Sequence, residues 1–149
     1  MSDEPKTLKY SISVSSKLTN LVSVLEWFEA CQSARIPNAV WLPSKIALAE
    51  AFTNAVRHAH KQRPAETPVE ISLRISPTML EIEVIDSGEP FDLLAHLARQ
   101  STVTDIYATH GRGLKLLESI ADRLEYRRLH GGRNCLYFSK SYTPLFRWS

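Results

Sequence analysis

Two neighbouring segments alternate between apolar and polar residues, and this pattern constrains the fold more than any other feature of the sequence. In residues 68–76, "PVEISLRIS", every second side chain is aliphatic, and the same period recurs in residues 79–86, "MLEIEVID", after a turn at "SPT". A period of two residues is typical of strands that bury one face. The pair is therefore predicted to form two antiparallel strands whose apolar face must be covered.

Two segments with helical spacing come before this pair and can cover it. Residues 18–32 carry apolar side chains at helical intervals, and a second helix is expected to start between residues 38 and 44 and to run to about Lys61. Pro43 lies within the range where that helix begins, and a proline disfavours a helix interior. A first strand is predicted at residues 8–14.

The second half of the chain predicts a lid, a third helix and a closing hairpin. Residues 87–111 show little periodicity, which is typical of a functional loop, and a helix is expected in "GRGLKLLESIADRL". The segments "EYRRLH" and "NCLYFSK" flank a turn at Gly131 and Gly132. The order β-α-α-β-β-lid-α-β-β predicts an α+β fold, with helices on one face of a mixed, mostly antiparallel sheet.

Composition is that of one ordinary globular domain. The chain has 149 residues, a net charge of +2 and no long basic run, so charge does not indicate binding to nucleic acid. Cys31 and Cys135 lack metal-ligand spacing and are expected to be reduced thiols. The polar N-terminus has no secretory signal pattern, and no apolar run is long enough to span a membrane. We therefore expect a single domain, residues 1–149, in the cytoplasm and away from the membrane.

A polar ridge runs along the second predicted helix. In "LAEAFTNAVRHAH", residues 48–60, the side chains of Glu50, Asn54 and His58 follow at intervals of four, and each step turns by about 40°. The opposite side is apolar and should face the core; it holds Leu48, Phe52, Ala55, Val56 and Ala59. A glutamate and an asparagine at this spacing more often form a solvated face, so the ridge needs support from other motifs.

Two further motifs give that support. Asp86 has the parity of the apolar residues of its strand, so its carboxylate should point to the core side and needs a partner. An aspartate before "SG" more commonly only starts a turn. In "HGRGL", Gly111 and Gly113 come just before a helix, where backbone amides can bind phosphate. The chain has neither a P-loop nor a Rossmann glycine motif.

Taken together, the three motifs resemble those of the GHKL superfamily, which includes gyrase-type ATPases and histidine kinases. "EAFTNAVRHA" looks like its N-box, "DSGEPFD" like its first glycine box and "GRGL" like its second. Within the superfamily, the short N-box and the tail "GRGLKLLESIADRLEYRR" look most like the anti-sigma-factor serine/threonine kinases. The resemblance covers about residues 8–140 and implies the two-layer α/β sandwich of that superfamily.

The resemblance also implies a site for ATP and Mg²⁺. Asn54 would hold the metal and Glu50 would act as general base on the attacking hydroxyl. His58 would be structural or lie near the phosphates, and Asp86 would accept a hydrogen bond from the adenine amine. Further nucleotide contacts are implied at Gly88, Gly111, Arg112, Gly113, Leu114 and Asn134, where Asn134 stands in the place of a family threonine.

Three functions are compatible with these motifs. The first is a kinase that phosphorylates a STAS-type anti-anti-sigma protein and sequesters a sigma factor, in a homodimer as the resemblance implies. The second is a nucleotide-gated binding protein that transfers no phosphoryl group. The third, the ATPase domain of a sensor histidine kinase, is the least favoured, because that kinase needs a helical segment with a phospho-accepting histidine and few residues precede the first strand.

Overall fold

The sheet is the frame of the molecule. The computed structural model describes residues 6–90 and 121–145, together with positions 115, 118 and 119. Within that part, five strands form one sheet in the order β1-β2-β3-β5-β4. They are β1 (Leu8–Ser15), β2 (Pro68–Ile75), β3 (Met79–Asp86), β4 (Arg123–Leu129) and β5 (Arg133–Ser141). All four of these pairings are antiparallel rather than mixed.

The two alternating segments form β2 and β3, as predicted. Ile71 lies opposite Val84 and Leu73 opposite Ile82, so their aliphatic side chains share one face. Phe138 of β5 continues that face beside Ile82, and all of these side chains are buried. The alternation therefore placed the core on one side of the sheet.

Two helices cover the apolar face. The first, α1 (Leu21–Ala30), follows a 3₁₀ turn at Leu18–Asn20, and the second is α2 (Asn38–Asn54). Their buried side chains belong to the same hydrophobic cluster as those of the sheet. The described chain is thus an α+β two-layer sandwich, and none of its described helices is long and apolar enough to cross a membrane.

Aromatic stacking explains how α2 can begin five residues before Pro43. The rings of Phe28 on α1 and Trp41 on α2 are stacked, with centroids 4.0 Å apart and planes within 4°. Both side chains are fully buried. Burial of two large aromatic side chains outweighs the roughly 3 kcal/mol that a proline costs inside a helix.

The second helix changes its winding after Asn54. The segment Ala55–Ala59 is a π turn, closed by a hydrogen bond of 2.9 Å from the His60 N–H to the Ala55 carbonyl. The prediction of regular α-helix to about Lys61 is therefore wrong beyond Asn54. Because a π turn is wider than an α turn, His58 does not follow Asn54 at the expected α-helical angle.

The lid and most of the third helix lie outside the described residues. Positions 115, 118 and 119, which fall within the predicted third helix, are helical. The closing hairpin is confirmed: β4 and β5 pair across a turn in which Gly131 and Gly132 have φ angles of 79° and 74°. Glycine adopts such positive φ angles without steric cost.

Phe28→Ala should destabilise the protein strongly. The change removes the stacking partner of Trp41 and leaves a cavity between α1, α2 and the sheet, so the free energy of unfolding should fall by about 3–5 kcal/mol. Val22→Ala on the same helix, where the side chain is 63% exposed, should change it by at most about 0.5 kcal/mol. Urea denaturation followed by circular dichroism measures both, and equal effects would refute the assigned core.

Candidate functional site

A buried carboxylate lies where β3 ends. Asp86 is 6% exposed, which confirms that its side chain points to the core side. Its Oδ1 accepts hydrogen bonds from the Gly88 N–H at 3.0 Å and from Asn134 Nδ2 at 2.8 Å. No described residue donates to Oδ2. One oxygen of this carboxylate is thus held by the protein, and the other can accept a hydrogen bond from a bound molecule.

Asn134 is the main partner of this carboxylate. It lies directly opposite Asp86 on β5 and is fully buried. Besides Asp86, its Nδ2 donates to the Gly88 carbonyl at 2.9 Å, and its Oδ1 accepts from Arg128 Nη1 at 2.8 Å. Both amide N–H groups of Asn134 therefore serve the protein, and its side chain holds Asp86 and Gly88 in place.

Gly88 packs directly on the backbone of the π turn. A Cβ atom at this position would lie 1.9 Å from the carbonyl oxygen of Ala59, a distance that no side chain can occupy. The sequence predicted Gly88 as a point where the nucleotide approaches the backbone. In the structure, the close approach that requires glycine is the one to Ala59.

The polar ridge of α2 is partly buried. Asn54 is 9% exposed, and its side-chain amide makes no hydrogen bond to any described residue. Glu50 lies one turn earlier and is half-buried. The predicted apolar side is confirmed, because Leu48, Phe52, Ala55 and Ala59 are buried. The side chain of His58 lies outside the described part of the structure.

His60 is a site residue that the sequence reasoning missed. Its ring is buried, with Nε2 accepting from the Ser87 N–H at 2.8 Å and Nδ1 within 2.6 Å of Ser16 Oγ. Burial lowers the pKa of His60 from 6.5, while the charge of Asp86 raises it and that of Arg63 lowers it further. No helical pattern marked His60 as a site residue, because its position follows from the π turn rather than from a regular helix.

Arg128 was also missed. Its guanidinium reaches from β4 to the Gly88 carbonyl at 3.2 Å as well as to Asn134. No sequence signal marks it, because the contact depends on how the β4–β5 hairpin pairs.

The two cysteines lack the features of a reactive thiol. Cys31 and Cys135 are both buried free thiols. Burial, reinforced by the neighbouring Glu83, raises the pKa of Cys135 to about 12, so this thiol stays protonated and is a poor nucleophile.

A cleft opens beside Gly88, where the π turn meets the segment after β3. Its volume is about 420 Å³. Its described lining residues are Ala59, Lys61, Gln62, Arg63 and Glu89. Two of the five are cationic and one is anionic, so the described lining carries a small net positive charge. The predicted phosphate-binding residues Gly111, Arg112, Gly113 and Leu114 lie outside the described residues.

Among the described residues, no group of three or more His, Cys, Asp or Glu side chains could hold a metal ion.

Comparison with known proteins shows the family of the chain. Residues 14–140 match the sequence profile of the family described as "Histidine kinase-like ATPase domain", which confirms the resemblance to the GHKL superfamily. Similar curated proteins are named "Serine-protein kinase RsbW". The protein of that name from Staphylococcus epidermidis is 36% identical over 86 residues, 54% of each chain. One from Bacillus licheniformis is 39% identical over 88 residues, 54% of this chain and 52% of its own. The chain spans about half the length of the curated relatives it matches.

Asn134→Ala should lower the free energy of unfolding by about 2–3 kcal/mol. The change leaves a buried carboxylate oxygen and the Gly88 carbonyl short of a donor, and an unsatisfied buried group costs about 1–3 kcal/mol, more when it is charged. Asn38→Ala, at an exposed position at the start of α2, serves as the control and should stay within about 0.5 kcal/mol. Thermal and urea unfolding measure the difference, and a neutral Asn134→Ala would contradict the assigned network.

Proposed function

This chain belongs to the histidine kinase-like ATPase domain family, and we propose on that premise that it is an ATP-dependent serine/threonine protein kinase of the anti-sigma type. Its proposed substrate is a STAS-type anti-anti-sigma protein, and its second partner is a sigma factor whose transcriptional activity it controls. The curated relatives named serine-protein kinases support the reaction class. From membership of the family we also propose that the protein forms a homodimer and is located in the cytoplasm.

The observation that carries the proposal is the side-chain amide of Asn54, which makes no hydrogen bond to any described residue although the residue as a whole is only 9% exposed. Its oxygen is therefore available to a ligand at the surface of the site. An amide oxygen is a suitable ligand for Mg²⁺, which takes few protein ligands and completes its octahedral shell with water and phosphate oxygens. We propose that Asn54 holds Mg²⁺, which would neutralise charge on the ATP phosphates when bound.

Asp86 is proposed to select the nucleotide base. Its Oδ2 can accept a hydrogen bond from the exocyclic amine of adenine. Guanine has a carbonyl oxygen at the corresponding position, and two acceptors facing each other repel. Because Asn134 and the Gly88 N–H hold Oδ1, the carboxylate cannot turn away from the base.

The remaining nucleotide contacts are proposed from the family motifs. The backbone amides of Gly111 and Gly113, with Arg112 and Leu114, would close over the phosphates from the start of the third helix. His58 would lie near the phosphates. The role of Asn134 is better described as support for Asp86 than as contact with the nucleotide, because its amide is already hydrogen bonded to the protein.

Glu50 is the proposed general base. It lies four residues before Asn54 on α2, so the two side chains are neighbours on one helix face. A carboxylate there can take the proton of an incoming serine or threonine hydroxyl. The hydroxyl oxygen then attacks the terminal phosphorus of ATP, and ADP is the leaving group. Positioning and electrostatic stabilisation supply most of such a phosphoryl transfer, and a positioned base adds about 10²–10⁴-fold.

Asp86→Asn should weaken ATP binding by roughly ten- to a hundred-fold, the effect of losing about 1.5–3 kcal/mol of hydrogen bonding to a charged group. Asn134 and the Gly88 N–H need an acceptor, so the new amide oxygen should face them and its NH₂ group should face the base. That donor suits the guanine carbonyl, and the ATP-to-GTP preference should fall or invert. Calorimetry with both nucleotides tests this, and unchanged affinities for both would refute the base-pocket assignment.

Glu50→Gln should leave ATP affinity nearly intact and reduce phosphoryl transfer by about 10²–10⁴-fold. The carboxylate faces the hydroxyl rather than the nucleotide, so only the transfer step loses a group. The measurement is transfer of labelled phosphate from ATP, with Mg²⁺, to a STAS-type protein. Glu26→Gln, an exposed glutamate of α1, is the matched control and should transfer as the parent does.

If the parent protein binds ATP and the protein partner but transfers no label, the kinase proposal fails and the nucleotide-gated binding protein is favoured instead. If Glu50→Gln transfers label at the parental rate, Glu50 is not the base.

A further inference from the structure

His60 joins three segments that are distant in the sequence. It ends the π turn, while Ser16 follows β1 and Ser87 follows β3. The ring is 4% exposed and contacts both serines through its two nitrogens. None of the roles proposed for ATP, the metal or the hydroxyl uses this ring.

The hydrogen bonds fix the protonation state of the ring. A backbone N–H can only donate, so Nε2 must carry the lone pair that accepts from Ser87. The proton of the neutral ring then lies on Nδ1, which donates to Ser16 Oγ. A doubly protonated ring would direct a second N–H at the Ser87 N–H, and that hydrogen bond would be lost.

The bond to Ser87 lies in the middle of the proposed base pocket. Asp86 comes directly before Ser87 and Gly88 directly after it. Asn134 holds Asp86 and Gly88 from the β5 side, and His60 holds Ser87 from the side of the π turn. Gly88 also packs on Ala59, the neighbour of His60. Release of Ser87 would therefore free the segment at its centre.

We propose that His60 is a positioning residue of the base pocket: its neutral ring holds Ser87, and with it Asp86, so nucleotide affinity falls when the ring is protonated. The statement about affinity rests on the proposed function. The statement about Ser87 rests only on the hydrogen bonds of the ring.

Burial and the neighbouring charges together set the direction in which the pKa of His60 shifts. Asp86 at the end of β3 favours the protonated ring, Arg63 after the π turn opposes it, and the side of β1 presents the neutral hydroxyl of Ser16. Burial is the largest influence and keeps the pKa of the folded state below 6.5. A group with a lowered folded-state pKa contributes stability that is complete above 6.5 and is lost as the pH falls below it.

The test compares nucleotide affinity from pH 5 to pH 8 in the parent protein, His60→Gln and His60→Phe, with a fluorescent ATP analogue and Mg²⁺. Glutamine can still accept from Ser87 but does not titrate. At neutral pH, the nucleotide affinity of His60→Gln should lie within about threefold of that of the parent. On acidification, the affinity of the parent should fall about tenfold more than that of His60→Gln, which is the effect of one hydrogen bond. Phenylalanine removes the acceptor and should weaken binding about tenfold at every pH.

His130→Gln provides the matched control, because His130 is exposed in the turn between β4 and β5. It should follow the parent at every pH. The phosphates of the nucleotide also titrate in this pH range, and they do so whichever of the four proteins is present. The comparison is therefore made on the ratio of each variant's affinity to that of the parent at the same pH. Superimposable pH profiles of the parent and His60→Gln would overturn the proposal while leaving ATP binding intact.

Hydrogen exchange of the Ser87 amide separates this inference from the proposed function, since it needs no nucleotide. At neutral pH the amide should be protected in the parent and in His60→Gln, and should lose roughly tenfold in protection in His60→Phe. Absence of ATP binding in every variant would overturn the proposed function and the affinity statement. Equal protection of Ser87 in the parent and His60→Phe would overturn the positioning role itself.

Discussion

The buried carboxylate of Asp86 is the constraint on which the rest of the site depends. A charge at this depth is tolerated only with hydrogen-bond partners, and the chain supplies them from β5 and from the turn after β3. Asn134 is hydrogen bonded to Asp86, and Arg128 on β4 is in turn hydrogen bonded to Asn134. Gly88, the other donor to Asp86, packs against Ala59 in the helix layer. Both hydrogen bonds go to the same carboxylate oxygen, so the network that makes the charge tolerable also fixes the orientation of the carboxylate.

The sequence predicted the parts of this arrangement that depend on period and parity. Alternation in β2 and β3 gave the strands, their shared apolar face and the inward direction of Asp86. Helical spacing gave the buried side of α2 and the ridge with Glu50 and Asn54. Such patterns are local, because each residue's direction follows from its own element. The family resemblance came instead from the three motifs, and the profile match confirms it.

The missed features depend on contacts between elements that no local pattern encodes. The start of α2 at Asn38 lies within the predicted range, but no pattern indicated the stacking of Trp41 on Phe28. The partners of Asn134 follow from the register of β3 with β5 and of β4 with β5. His60 owes its role to the π turn, which the regular helical angle does not anticipate. Tertiary packing decided each of these positions.

The π turn at Ala55–Ala59 has a consequence for how this chain should be aligned with its relatives. A turn closed between residues five apart holds one residue more than an α turn, so it is equivalent to a single-residue insertion in a straight helix. A relative that is α-helical throughout would match this chain in space up to Asn54 and lie one position out of step at His60. An ungapped alignment with such a relative would therefore keep its register before the turn, whereas at the turn it would need a gap of one residue.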